Sequence, residues 1–185
     1  MQLNKKLNLV LPLYRGKDQA SVYVHSTPIS RAVFEAFFMI IAKTFSSIYA
    51  GGLGVTGGPA VAAMLLRQHA KEQGGDEYLA EVDAGLFSEI RRLTNVVVLG
   101  PDGWETVPLD EGLKRKLVDE DEAGEVENAL AFFTVVSCMH RRGQLTGVLG
   151  VACDLWGARI VYSNCTEFAA SLPTSITADD TGTKE

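Results

Sequence analysis

Residues 30–52, SRAVFEAFFMIIAKTFSSIYAGG, decide how this chain is read. Phe34, Phe37, Phe38, Ile41, Phe45 and Ile48 recur at the three- and four-residue spacing of an α-helix, so one face of it is apolar. Ser30 suits the N-cap, because its hydroxyl can accept a bond from an orphan backbone N–H of the first turn. Ile29 and Phe34 stand at the spacing of a hydrophobic staple across that cap. Gly51-Gly52 supply a stop. The stretch therefore predicts one long amphipathic helix over 30–50. Such a face is most often core. It is also what a protein that binds apolar helices would present, so these six residues are the candidate partner-binding set.

Working toward the N-terminus, residues 3–13 (LNKKLNLVLPL) place Leu7, Leu9, Leu11 and Leu13 on one side by period two. The polar stretch Arg15–Gln19 follows. Ser21–His25 then alternates, Val22 and Val24 opposing Tyr23, and the pair reads as a β-hairpin. Pro12 lacks a donor and fits a strand end or an edge.

Working toward the C-terminus, GGLGVTGG at 51–58 reads as a flexible connector, and Pro59 as the first turn of a helix that stops at Gly74-Gly75. Leu79, Val82, Leu86, Ile90 and Leu93 mark a third helix over about 76–93, with Arg91-Arg92 placed well for the negative end of its dipole. Asn95–Leu99 and Trp104–Pro108 around Gly100-Pro101-Asp102-Gly103 predict a second, short hairpin near 95–108. A short helix over 111–117, capped by Asp110, comes next. After it comes a helix over about 122–141 whose interior, Ala129–Met139, is apolar nearly all round and so fits a central buried position. Leu145–Leu155 reads as a helix weakened by Gly147 and Gly150, and Ile160–Tyr162 as a short strand. The expected fold is α+β, a mainly helical single domain over 1–170. A Ser/Thr/Asp-rich disordered tail is expected over 171–185.

Apolar residues make up 46% of the 185-residue chain, enough for a real core. There are 17 basic against 23 acidic residues, a net charge of −6, which argues against a general nucleic-acid binder. No signal peptide is legible, since Asn8 and Pro12 interrupt the run after Lys5-Lys6. No apolar run approaches a membrane span. Cys138, Cys153 and Cys165, an odd number without Cys-x-x-Cys spacing, read as reduced thiols of a cytosolic protein.

Candidate chemistry is sparse. GGLGVTGG lacks the Gly-Lys-Ser/Thr of a phosphate loop and follows a helix rather than a strand. Cys138 and His140, two apart on a helix, diverge, and no second cluster completes a zinc site. His25 and His69 stand alone in the sequence. The acidic residues of 119–127 lack the oxygen-ligand alternation of an EF-hand and read as a solvated first helix turn. No Gly-x-Ser-x-Gly, His-Glu-x-x-His or Ser-x-x-Lys occurs. The expectation is a protein without enzymatic activity, metal or cofactor.

The opening LNKKLNLVLPL, then VYVHSTPISRAVFEAFFMIIAKTF and GLGVTGGPAVAAMLL, resemble the tail assembly chaperones of long-tailed, siphovirus-type bacteriophages. EIRRLTNVVV, GWETVP, EVENALAFFTVVSCMHRR and TEFAASLPTS resemble the same set, so the likeness is spread over the chain. The resemblance implies a non-catalytic protein of the host cytoplasm, absent from the mature virion. It implies binding to the aggregation-prone tape measure protein and assistance to tail tube assembly, with tail tube subunits and further copies of itself as partners. It also implies a second, longer product made by ribosomal frameshifting near the end of the reading frame. The family has no fixed catalytic motif, so no residue roles carry over. Two other readings stand beside it: a structural virion protein, such as a head–tail connector or tail-completion protein, and a small enzyme using Cys138 or a histidine.

Overall fold

The computed structural model describes residues 7–14 and 20–173. The polar stretch at 15–19, and residues 174–185 of the tail expected over 171–185, lie outside the described residues.

Both predicted hairpins form, and they join. β1 (Asn8–Leu13) pairs antiparallel with β2 (Val22–Ser26), and β2 with β3 (Thr94–Gly100). β3 turns through Pro101-Asp102 into β4 (Gly103–Pro108). The short β5 (Arg159–Val161) adds to the other side of β1, giving a five-stranded antiparallel sheet of order β4-β3-β2-β1-β5.

Period two sorts the side chains into two layers. Leu7, Leu9, Leu11, Leu13, Val22, Val24 and Val96 face the main helical core. Val10, Val97 and Tyr23 face the opposite side, where Phe168 and Ala169 of α8 (Cys165–Ser171) cover them. The sheet is thus a middle layer, with one short helix on one side and the other helices on its reverse. α8 was not anticipated. Asn164 and Glu167 form a capping box at its start, and the Trp104 Nε1–H donates to the Pro173 carbonyl at 2.8 Å just beyond its end. Residues 171–173 therefore belong to the folded body.

The helix predicted over 30–50 starts as expected, with Ser30 Oγ accepting from the Val33 N–H at 3.3 Å. It then breaks at Phe37 (φ −111°, ψ 19°) into α1 (Arg31–Ala36) and α2 (Phe38–Ala50). The Phe37 ring seats against Gly85, where a Cβ would collide with it.

α3 (Gly54–Val82) begins a turn earlier than Pro59, so the connector shrinks to residues 51–53. The earlier start lets Val55 reach the core and brings Gly58 against Ile48 and Phe132. Gly74 (φ −149°, ψ 20°) and Gly75 (φ 68°, ψ −158°) leave helical geometry, so two helical segments meet there at a kink, as the sequence stop predicts. A π-helical turn, Asp83–Phe87, then leads into α4 (Ser88–Arg92).

α5 (Leu109–Lys114) has Pro108 at its N-cap position, so Asp110 lies in its first turn and does not cap it. α6 (Glu120–Met139) opens on an Asp119/Glu122 capping box, and Ala129–Val136 is buried on all sides, as its composition predicts. α7 (Arg142–Trp156) ends on left-handed Gly157 (φ 63°). No helix among the described residues is long and apolar enough to cross a membrane.

Candidate functional site

The break at Phe37 divides the six-residue stripe. Phe37, Ile41 and Ile48 are core, and Ile40 and Thr44 complete the buried face of α2 in place of Phe38. Phe45 is half-buried between the Tyr49 ring at 4.5 Å and the His140 ring at 5.3 Å. Phe34 is half-buried and meets Phe38 edge to face at 5.6 Å. Phe38 is 44% exposed and its neighbour Met39 65%. What remains for a partner is a small aromatic and thioether surface at the α1–α2 junction.

A cavity lies elsewhere among the described residues. It is an open groove of about 690 Å³ where the end of β1 meets the first turns of α3 and α6 and the last turn of α7. Its apolar lining includes Leu13, Pro59, Val126, Ala129 and Trp156. Asp121, Glu122 and Glu125 line it from α6, and among the described residues none of the lining side chains is basic. Asn128 braces the groove: its Oδ1 accepts from the Ala63 N–H at 3.0 Å and its Nδ2 donates to the Gly124 carbonyl at 3.0 Å, tying α6 to α3. The sequence shows the acids, but it cannot show that the fold sets them beside an apolar lining.

The nucleophiles are quiet. Burial pushes the Cys138 and Cys153 thiols up to about 11 and raises that of Cys165. All three are therefore protonated at neutral pH and poor nucleophiles. His140 is not turned toward Cys138; its Nδ1 lies 3.1 Å from the Val136 carbonyl. Among the described residues no three His, Cys, Asp or Glu side chains converge on a metal position.

One polar chain escaped the sequence reading. Ser47 Oγ lies 2.9 Å from His69 Nε2, and His69 Nδ1 lies 3.2 Å from Glu72 Oε2. Lys43 Nζ and Gln68 Nε2 donate to the same carboxylate, which those bonds hold down at about 2. The order hydroxyl–imidazole–carboxylate is that of a hydrolase triad. A triad also needs a substrate cleft and oxyanion donors, and neither the groove nor a smaller cavity beside Phe87 and Leu130 is lined by these residues. The chain works as a clamp between α2 and α3. His69 and Glu72 stand at i,i+3 on one helix, a spacing visible in the sequence; their pairing with Ser47 is not.

Comparison of the chain with family models, with curated proteins and with solved structures gave no match.

Proposed function

We propose that this protein is a tail assembly chaperone of a long-tailed bacteriophage, acting in the host cytoplasm without catalysis and left out of the finished particle. It keeps the tape measure protein soluble while tube subunits assemble around it. The sequence resemblance, spread from LNKKLNLVLPL to TEFAASLPTS, supports this reading. The structural observation that carries it is the surface at the α1–α2 junction, where Phe38 and Met39 stand outside the core beside half-buried Phe34. Apolar side chains on adjoining helix turns are the means by which one protein shields the apolar stripe of another helix.

Co-expression tests it. With this protein the tape measure protein should be recovered soluble and in complex, and Phe38→Asp with Met39→Asp should release it. A tape measure protein that stays insoluble beside the wild-type chain overturns the reading. Stoichiometric presence of the protein in purified virions would replace it with a structural role.

A further inference from the structure

The groove at the β1, α3, α6 and α7 junction is separate from the α1–α2 surface and is not used by the function proposed above. We propose that it docks a cationic, apolar-tipped helical segment of a partner protein.

The walls argue for an apolar contact. The accessible apolar surface includes the half-buried Trp156 and Tyr14, which stands 57% exposed at the mouth, over a floor formed by buried Val126, Ala129, Pro59 and Leu13. The volume, about 690 Å³, falls within the range of about 300–1,000 Å³ that holds a ligand. Asn128 and the Asp119/Glu122 capping box hold the α6 wall in place before anything binds.

The rim argues for cations. Asp121 and Glu125 stand one turn apart on α6 and make no ion pair or side-chain hydrogen bond among the described residues. Like charges at that spacing repel, and a cation between or beside them relieves the repulsion. Their separation along the axis, about 6 Å at about 1.5 Å per residue, matches two Lys or Arg side chains four residues apart on a docked helix. The net charge of −6 steers such a segment inward and turns phosphate-bearing partners away. The carboxylates do not converge on a metal position.

The test uses the full chain and two synthetic alanine-based helical peptides, each with two leucines on one face. One carries two arginines four residues apart, the other two glutamates there. Binding is read by two-dimensional NMR of the two tryptophan indoles. Trp156 lines the groove, while Trp104 lies on the α8 side of the sheet and serves as the internal control. The arginine peptide should shift the Trp156 resonance alone and weaken as salt rises. Asp121→Lys with Glu125→Lys should reduce its affinity at least tenfold, with thermal melting verifying that the variant is folded. Equal binding of both peptides, a shift at Trp104 instead of Trp156, or no binding at millimolar peptide overturns the proposal. A wild-type dimer that the charge reversal converts to monomer would assign the groove to a second copy and equally overturn it. The tape measure experiment can fail while the arginine peptide still binds, so the two conclusions fall separately.

Discussion

The Arg67 guanidinium meets the Glu127 carboxylate fork to fork, Nη1 at 2.7 Å from Oε2 and Nη2 at 2.9 Å from Oε1. Its Nε donates to Asp83 Oδ1 at 3.0 Å, and its plane lies 4.1 Å above the Phe87 ring. Asp83 and Phe87 are the two ends of the π-helical turn. One side chain thereby joins α3, that turn and α6, and the same contacts hold Arg67 charged.

Arg67→Ala should therefore cost about 2–3 kcal/mol in urea denaturation. That is below a fully buried pair, because both side chains keep about a third of their exposure, and above an isolated surface pair. Arg67→Lys keeps the charge but loses the bidentate fork and the stacking plane, so it should lie between wild type and Ala. A loss under 0.5 kcal/mol for Arg67→Ala would remove the pair from the stability argument.

Gly58 marks a close approach of α3 to its neighbours. A Cβ there would sit 2.7 Å from Ile48 Cγ2 and 2.8 Å from Phe132 Cε2, both fully buried. Gly58→Ala should cost about 1–3 kcal/mol despite its better helix propensity. Adding Ile48→Ala opens one wall of the clash, so the double variant should be more stable than the sum of the single losses predicts, by about 0.5 kcal/mol or more. Strict additivity in a double-mutant cycle would show that the helices shift apart to accommodate the methyl group.

The three thiols should react slowly with a disulfide reagent at pH 8 in the folded protein and promptly in urea. Burial holds Cys138 and Cys153 near 11, so little thiolate forms at pH 8. A fast stoichiometric reaction at one native cysteine would reopen the enzyme reading for Cys138. Unchanged binding in Cys138→Ser would count against it again.

Elements were legible wherever local chemistry and burial agreed. Leu7, Leu9, Leu11 and Leu13 alternate because one face of β1 meets the helices, and Gly100-Pro101-Asp102-Gly103 closes the second hairpin by turn chemistry alone. The break at Phe37 was not legible, since it depends on a glycine 48 positions away whose missing Cβ admits the ring. The π-helical turn is of the same kind: Arg67, distant in sequence, contacts Asp83 and Phe87 at its two ends. Asn164-x-x-Glu167 has the capping-box pattern in the sequence, although the Ser/Thr/Asp-rich composition of the residues beyond it is that of a tail. The candidate sites were less visible than the fold. Asp121 and Glu125 read as a solvated turn until β1, α3 and α7 bring Leu13, Pro59 and Trp156 beside them.

His25 gives the fold a pH dependence with a definite sign. It sits on β2 beneath Phe168, whose ring centroid is 5.9 Å away, and its Nε2 lies 3.0 Å from the Ser163 carbonyl. Its Nδ1 has no hydrogen-bond partner among the described residues, and burial lowers its pKa below 6.5. Well above pH 6.5 the imidazole is neutral in both folded and unfolded chains and contributes nothing to the slope. As pH falls below 6.5 the unfolded chain takes up the proton first, so stability declines until the native pKa is passed. Glu72 adds a second loss lower down, from about 4.5 toward 2, as its bonds to Lys43, Gln68 and His69 are titrated away. Phe168→Ala should lower stability by about 2–4 kcal/mol through lost packing. By letting water reach the imidazole it should also move the His25 pKa back toward 6.5 and flatten the upper part of the pH dependence. Histidine ring-proton NMR titration of both proteins reads this directly. A wild-type His25 pKa at or above 6.5, or one that Phe168→Ala leaves unmoved, would show that α8 does not set the environment of this side chain.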